Sequence, residues 1–214
     1  MPKLPLSKQP NNPRVVLWRW DEGSAWPLAK LEAHFPEREW ATMSKGRLRE
    51  HQAVACGLTE LLGSEGWRVI HRDGKPELLD AFGKVRPLSV SHHSTSHGTT
   101  AAVGVWEAGE RHHGIDLVDT QDVRIPRIAS RFMSPVEQER WPEAKPWVWA
   151  AKETMFKGHG PNLDFRLELS MDSMDWVGDS GRLVGSVRGA IWRGELAHVP
   201  HSSLGLVWSS PSAM

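Results

Sequence analysis

The sequence contains no tyrosine and a single cysteine, Cys56, among its 214 residues. No phenol can therefore act as an acid or base, and no disulfide can form within the chain, which fits a reducing cytoplasm. Lys and Arg number 26 and balance 26 Asp and Glu, so no overall charge favours nucleic acid or an anionic membrane. No apolar run approaches the ~20 residues of a membrane-spanning helix. We expect a cytoplasmic protein that binds neither nucleic acid nor membrane.

The chain is long enough for one large domain or two small ones. Residues 1–14 are rich in Pro, Asn and Lys and lack an apolar segment, which predicts a frayed tail rather than a signal peptide or anchor. Strand-like and helix-like patterns then alternate in blocks, which is typical of an α+β or mixed α/β protein. Strands are predicted at 15–20, 67–71, 88–91, 99–106, 114–118 and over much of 163–208, with turns at 178–181 and 193–194, and helices at 26–35, 47–62 and 146–157.

One predicted helix carries the sequence Trp149-Ala-Ala-Lys-Glu-Thr-Met-Phe-Lys157. Glu153 and Lys157 are four residues apart, so they share one helix face with about 5–6 Å between their Cβ atoms. Lys152 points roughly 100° away from Glu153. Taken alone, this pattern also fits an ordinary surface ion pair.

A predicted strand carries Asp116 in the middle of the apolar run Gly-Ile-Asp-Leu-Val, residues 114–118. A buried carboxylate costs free energy unless a positive charge or a hydrogen-bond donor meets it. Mg²⁺ is a natural partner because it prefers carboxylate oxygens. The alternative is an aspartate at a strand edge that faces water.

A third segment, Ser89-Val90-Ser91-His92, is predicted to end a strand. Its hydroxyl and imidazole groups could bind a phosphate, or they could be ordinary polar loop residues.

Together these segments resemble the signatures of the 4′-phosphopantetheinyl transferases, or holo-acyl-carrier-protein synthases. That family has a glycine-hydrophobic-aspartate strand, here Gly114-Ile115-Asp116, followed by an aromatic-x-x-Lys-Glu-x-x-x-Lys helix, here Trp149 to Lys157. Gly74-Lys75-Pro76, Ser91-His92 and Glu137 match further elements of the family pattern. Glu137 also has the spacing of a capping box with Ser134, which is a purely structural explanation.

The resemblance implies a fold and an activity. The fold would be α+β, a pseudo-twofold pair of similar halves at residues 1–107 and 108–214, as in the monomeric surfactin-type members. The N-terminal half would contribute to coenzyme A binding, and the C-terminal half would carry the metal-binding and catalytic motifs. The reaction would move the phosphopantetheine arm of coenzyme A to a serine of an apo acyl or peptidyl carrier protein. Such carriers serve fatty acid, polyketide and nonribosomal peptide synthesis.

The resemblance also implies roles for individual residues. Asp116 and Glu153 would hold Mg²⁺, or Mn²⁺, against the pyrophosphate of coenzyme A. Glu153, or a metal-bound water next to it, would accept the serine proton, and Lys157 would neutralise or protonate the leaving phosphate. Coenzyme A would be held through its phosphates and adenine by Lys75, Ser91 and His92, with added contacts to its 3′-phosphate from Lys45, Arg47 and Arg49. This last trio also fits the solvated start of a helix.

One position departs from the family pattern. Most relatives carry a second acid two residues after the aspartate, where this chain has Val118. We therefore expect two protein carboxylates on the metal, with water in the remaining place. Arg124, Arg127 and Arg131 recur at helical spacing and could meet an acidic carrier protein, or they could form a plain solvated face.

Two alternatives remain open from the sequence. The first, which Val118 favours, is a catalytically weakened module that binds coenzyme A without transferring the arm. A zinc-dependent hydrolase would need ligands from the histidines, which are numerous around the two strand motifs but lack a usual zinc-site spacing. These histidines are His92, His93, His97, His112 and His113.

Overall fold

The computed structural model describes residues 3–4, 14–20, 26–72, 74–95, 98–107 and 113–212. Contacts divide the chain into two compact units, whose described residues run from 3 to 107 and from 113 to 212. The predicted domain boundary after residue 107 adjoins residues 108–112, which lie outside the described ranges, so the boundary itself stays a prediction.

The first unit is an antiparallel sheet of six strands in the order β1-β2-β6-β5-β4-β3, with two α-helices. Its strands are β1 Lys3–Leu4, β2 Arg14–Trp20, β3 Arg68–Arg72, β4 Lys75–Leu79, β5 Val85–Thr95 and β6 Gly98–Val105. Its helices are α1 Leu28–His34 and α2 Lys45–Leu62, with a short 3₁₀ turn at Trp40–Thr42.

The long helix α2 begins and ends at recognisable signals. Ser44 caps its first turn by accepting a hydrogen bond from the Arg47 backbone, and Gly63 follows its last residue with a positive φ of 90°. The buried face of α2 packs on β2 and β6, where Gly57 allows close approach to Val16 and Val103. The apolar core of the first unit lies between this helix and the sheet.

The second unit is an antiparallel sheet of five strands in the order β7-β11-β10-β9-β8, with three helices. Its strands are β7 Gly114–Asp119, β8 Leu169–Val177, β9 Ser180–Val187, β10 Ala190–His198 and β11 Leu204–Pro211. Its helices are α3 Arg124–Phe132, α4 Pro135–Arg140 and α5 Lys145–His159. Helix α5 packs its apolar face, which includes Val148 and Met155, against the sheet.

The two units share one topology. If β1 is set aside, the strand that comes first in the sequence lies beside the strand that comes last in each sheet. The other strands then follow in the reverse of their order along the chain, as β2-β6-β5-β4-β3 and β7-β11-β10-β9-β8. In both units the helices lie between the first and second of these strands in the sequence. The predicted α+β class, with two similar halves, is therefore confirmed.

Several local predictions were wrong. The predicted turn at Arg193-Gly194 lies inside β10, and the chain instead turns at Arg188-Gly189, where both residues have positive φ. The polar segment after residue 91 continues as strand to Thr95, because its backbone pairs with β6. The predicted frayed tail covers residues 1–14, of which residues 1–2 and 5–13 lie outside the described ranges. Lys3–Leu4 does not fray but pairs with the edge of β2 and so satisfies backbone groups there.

Other local predictions were confirmed. The turn after Val177 and the capping box at Ser134 are both present. The predicted turn at residues 72–74 includes Asp73, which lies outside the described ranges. Among the helices of the described ranges, none combines the length and the apolar character needed to cross a membrane.

Candidate active site

Asp116 lies in the middle of β7 and is only 6% exposed. Its Oδ1 accepts a hydrogen bond from Lys157 Nζ at 2.6 Å, and the same ammonium donates to the Ile115 carbonyl at 3.1 Å. A buried aspartate in an apolar strand requires such a partner. Lys157 therefore provides the positive charge that the sequence predicted beside Asp116, although the predicted cation was a metal ion.

Glu153 lies one helical turn before Lys157 on α5 and is half-buried. Its pKa is raised chiefly by burial; the Lys157 ammonium opposes this shift, and the charge of Asp116 adds to it. Because Lys157 contacts Asp116 of β7, the turn of α5 that carries Glu153 and Lys157 lies beside Asp116. The structure thus brings together Asp116, Glu153 and Lys157, the residues predicted to be catalytic.

The glycine of the strand motif permits this approach. A Cβ atom at Gly114 would lie 1.9 Å from the carbonyl oxygen of Thr154, so β7 and α5 are in direct backbone contact here. Thr154 is itself buried, and its hydroxyl bonds Ala151 O at 2.7 Å and Ser209 Oγ at 2.5 Å. Ser209 lies on β11 and pairs with Gly114 of the neighbouring strand β7. This contact fixes the spacing between Asp116, two residues along the strand, and Glu153, the neighbour of Thr154.

Lys152 faces away from this cluster and has a different environment. Its side chain is fully buried, and its Nζ donates to Phe132 O at 2.7 Å, Glu137 Oε2 at 2.9 Å and Phe165 O at 3.0 Å. Burial lowers the pKa of Lys152, while the bond and charge of Glu137 act in the opposite direction. The direction of Lys152 was predictable from helix geometry, but its buried pairing with Glu137 was not predicted.

Glu137 uses both carboxylate oxygens inside the fold. Oε2 accepts from the Ser134 backbone at 2.7 Å as well as from Lys152, and Oε1 accepts from the Met171 backbone at 2.9 Å. Its match to an acidic position of the family pattern is therefore explained by structure, and these contacts leave no reason to make it a metal ligand.

Val118, at the position where the family resemblance led us to expect a second acid, has apolar surroundings. Val118 is 4% exposed and belongs to the core cluster that includes Ile125 and Ala129 of α3. The neighbouring Asp119 uses Oδ1 to accept a hydrogen bond from the Gln121 backbone in the following turn.

The residues predicted to bind coenzyme A all lie in the first unit. Arg47 and His92 meet at Glu50, whose Oε2 is 3.3 Å from Arg47 Nη1 and 3.3 Å from His92 Nε2. Lys45 is exposed on the first turn of α2, and Arg49 lies over the Trp20 ring at 5.8 Å. The start of α2 and strand β5 are thus brought together around one carboxylate.

Ser91 and Lys75 occupy strands rather than loops. Ser91 is buried in the interior of β5, opposite Ala102, so the prediction that residues 89–92 end a strand was wrong. Lys75 begins β4, and its pKa is lowered by burial.

The basic stripe on α3 is exposed along its length. Arg124, Arg127 and Arg131 are all exposed, while Ile125 and Ala129 of the same helix are buried. Arg124 is bonded to Asp122, with Nη2 at 2.7 Å from Oδ2.

The donor set at Asp116 and Glu153 fits a hard divalent cation. Mg²⁺ takes one or two carboxylates and fills its remaining positions with water and substrate phosphates. Within the ranges described, no three His, Cys, Asp or Glu residues gather into a metal-binding group. His97 and His112 lie outside the described ranges, and His92 and His93 are successive residues of a strand, so they point to opposite faces.

In the absence of metal, the difference in stability between the wild type and the Glu153→Gln variant should depend on pH. Because burial raises the pKa of Glu153, the folded state holds this proton more tightly than the unfolded chain. The wild type therefore gains stability as the pH falls through the raised pKa towards the ordinary value, about 4.3. We expect Glu153→Gln to be the more stable protein at neutral pH, by a margin that shrinks on acidification. Thermal unfolding of both proteins, measured with a chelator present across this pH range, tests the prediction. A stability difference that does not change with pH would contradict it.

Residues 113–203 match the family model of the 4′-phosphopantetheinyl transferase superfamily. The match begins one residue before β7 and ends one residue before β11, so it contains Asp116, Glu153 and Lys157 within the second unit. No curated protein matched the chain in a sequence comparison. The superfamily match supports phosphopantetheinyl transfer, and with it carrier protein activation, in general terms.

Proposed function

We propose that this chain transfers 4′-phosphopantetheine from coenzyme A to a serine of an apo acyl or peptidyl carrier protein. The observation that carries the proposal is the contact between Lys157, one turn after Glu153 on α5, and the buried Asp116 of β7. These residues lie in the region that matches the superfamily. A surface ion pair on one helix would not require the buried aspartate of a second element.

In the proposed reaction, the serine oxygen attacks the β-phosphorus of the coenzyme A pyrophosphate. The bond to the leaving group, adenosine 3′,5′-bisphosphate, breaks as the new phosphoester bond forms. Asp116 and Glu153 would hold Mg²⁺, which when bound supplies Lewis-acid neutralisation of the pyrophosphate charge. The remaining chemistry belongs to the side chains of this chain.

Glu153 is the proposed acceptor of the serine proton. Its pKa is raised by burial, and a carboxylate of raised pKa is a better base than an exposed one. Lys157 is the proposed partner of the leaving phosphate, because its ammonium already lies between α5 and the Asp116 carboxylate. Chemistry of this type depends mainly on such positioning and charge.

Coenzyme A would be bound by residues of the first unit. We assign its phosphates and adenine to Lys75, Ser91 and His92, and its 3′-phosphate to Lys45, Arg47 and Arg49. Glu50 supports this assignment, because its carboxylate holds the His92 ring and the Arg47 guanidinium at one place. The exposed arginines of α3 would meet the acidic surface of the carrier protein and speed encounter.

A catalytically weakened coenzyme A-binding module is the second candidate. The observation in its favour is Val118, which puts a buried apolar side chain where most relatives have an acid.

Lys157→Met should slow turnover more than it weakens coenzyme A binding. We expect kcat to fall roughly a hundredfold, with the KM for coenzyme A changing about threefold or less, because the ammonium acts on the leaving group. The matched control is Lys145→Met on the first turn of the same helix, which should behave as the wild type. A raised KM with unchanged kcat would contradict the assigned role.

The proposal is tested by incubating the chain with coenzyme A, Mg²⁺ and a panel of apo carrier proteins. Intact mass spectrometry should find a gain of about 340 Da, the phosphopantetheine arm, on at least one carrier. Coenzyme A binding without a mass gain on any carrier would favour the weakened module instead.

A further inference from the structure

A buried polar cluster lies on the side of α5 that faces away from the candidate active site. We call it the Lys152 node; its members are the Lys152 and Glu137 side chains and the four backbone groups that they bond. These groups are the carbonyls of Phe132 and Phe165 and the amides of Ser134 and Met171. The node therefore joins the end of α3, the start of α4, the chain after α5 and strand β8.

The hydrogen bonds of the node are directional and complete. An ammonium has three donors, and Lys152 Nζ has three acceptors within 3.0 Å. Removing one partner of a fully buried pair leaves an uncompensated charge, which is among the more costly changes in a protein interior. An ion pair that served α5 packing alone could be replaced by apolar groups, whereas this one also satisfies backbone groups of four segments.

The node fixes α5 at the residue next to Glu153. Lys152 and Glu153 are adjacent and project about 100° apart, so the anchor at Lys152 determines the direction in which Glu153 projects. Two residues beyond Lys152, the backbone of Thr154 is held against Gly114 of β7. Helix α5 is thus held on two sides within one turn, and Glu153 lies between the two anchors.

We propose that Lys152 and Glu137 are positioning residues, which set the rotation of α5 and so aim Glu153 and Lys157 at Asp116. The inference rests on the proposed function for its catalytic consequence. Its structural consequence, the ordering of α5 by the node, does not depend on that function. Neither residue touches substrate in this proposal.

The test compares Glu137→Gln and Lys152→Met with Ser134→Ala. The Ser134 hydroxyl caps α4 by accepting from Glu137 N at 3.2 Å, so Ser134→Ala weakens the same capping box without removing a charge from the node. Each variant is measured for thermal midpoint, kcat, the KM for Mg²⁺, Mn²⁺ binding by electron paramagnetic resonance, and amide hydrogen exchange at residues 153–157. Glu137→Gln keeps the side-chain volume, so it tests the inference even if Lys152→Met does not fold.

Glu137→Gln and Lys152→Met should each raise the KM for Mg²⁺ and weaken Mn²⁺ binding about tenfold or more, the usual effect of losing a supporting residue behind a ligand. Exchange at residues 153–157 should quicken in both. Ser134→Ala should lower the thermal midpoint yet leave the metal and exchange values within about twofold of wild type. Folded variants of Glu137 or Lys152 with wild-type metal and exchange values would overturn the inference.

Failure of the proposed function has a different signature. Wild-type protein that neither binds Mn²⁺ nor modifies a carrier would remove the transferase assignment. Faster exchange at residues 153–157 in Glu137→Gln, and not in Ser134→Ala, would still support the positioning of α5 by the node. Unchanged exchange would overturn it independently.

Discussion

Glu153→Gln should lower transfer to a carrier protein by a factor of roughly 10²–10⁴. Glutamine has nearly the shape of glutamate, so packing on α5 is kept. It cannot accept the serine proton, and as a neutral ligand it weakens the hold on a divalent cation. The measurement is kcat/KM for coenzyme A at saturating Mg²⁺, with circular dichroism to verify that the variant is folded.

The control for this variant is Glu143→Gln, an exposed glutamate just before α5. It removes the same charge from the same unit and should leave kcat/KM unchanged. Asp116→Asn should also abolish transfer, since it removes the second carboxylate and the partner of Lys157. Full activity in Glu153→Gln would rule out this residue as base and as metal ligand.

Gly114→Ala should cause the largest loss of stability among single-methyl additions. The new Cβ would lie 1.9 Å from the Thr154 carbonyl oxygen, and neither atom belongs to a flexible side chain that could move aside. Strand β7 and helix α5 must therefore separate, at a cost of about 3 kcal/mol or more. Urea unfolding measures the loss, and transfer should fall with it because Asp116 and Glu153 move apart.

Gly46→Ala is the matched control for this prediction. Gly46 lies in α2 with no heavy atom within 4 Å of an added Cβ, so alanine there should stabilise the protein by about 0.5–1 kcal/mol through helix propensity. An unfolding free energy for Gly114→Ala close to that of the wild type would mean that β7 and α5 are not in the backbone contact described above.

The helical spacing of Glu153 and Lys157 was predictable because it depends only on local geometry. The need of Asp116 for a positive partner was also predictable, since a buried carboxylate in an apolar strand has few alternatives. The identity of that partner was not, because Lys157 reaches Asp116 across 41 residues of sequence. Sequence spacing carries no information about such a contact.

Lys152 could have been recognised as buried from its neighbours. Val148 and Met155 lie four residues before it and three after it, and both are fully buried, so Lys152 shares their helix face. The partner Glu137 was recognised as a capping residue, yet its second role depends on the packing of α4 against α5. The capping pattern alone describes only the contacts of one helix end.

The shared topology of the two units was not visible as a repeat in the sequence. Their strand order is a property of backbone pairing, which tolerates unrelated side chains as long as one sheet face stays apolar. The end of strand β5 was predicted too early for a related reason. Ser91, His92 and His93 look like loop residues, but their backbone groups pair with β6 whatever the side chains are.

An experimental structure with Mn²⁺ and coenzyme A, recorded at a wavelength where manganese scatters anomalously, tests the central claim most directly. We expect one anomalous peak that is coordinated by carboxylate oxygens of both Asp116 and Glu153 and by phosphate oxygens of coenzyme A. A peak that contacts only one of these carboxylates, or that lies elsewhere while coenzyme A is bound, would contradict the account.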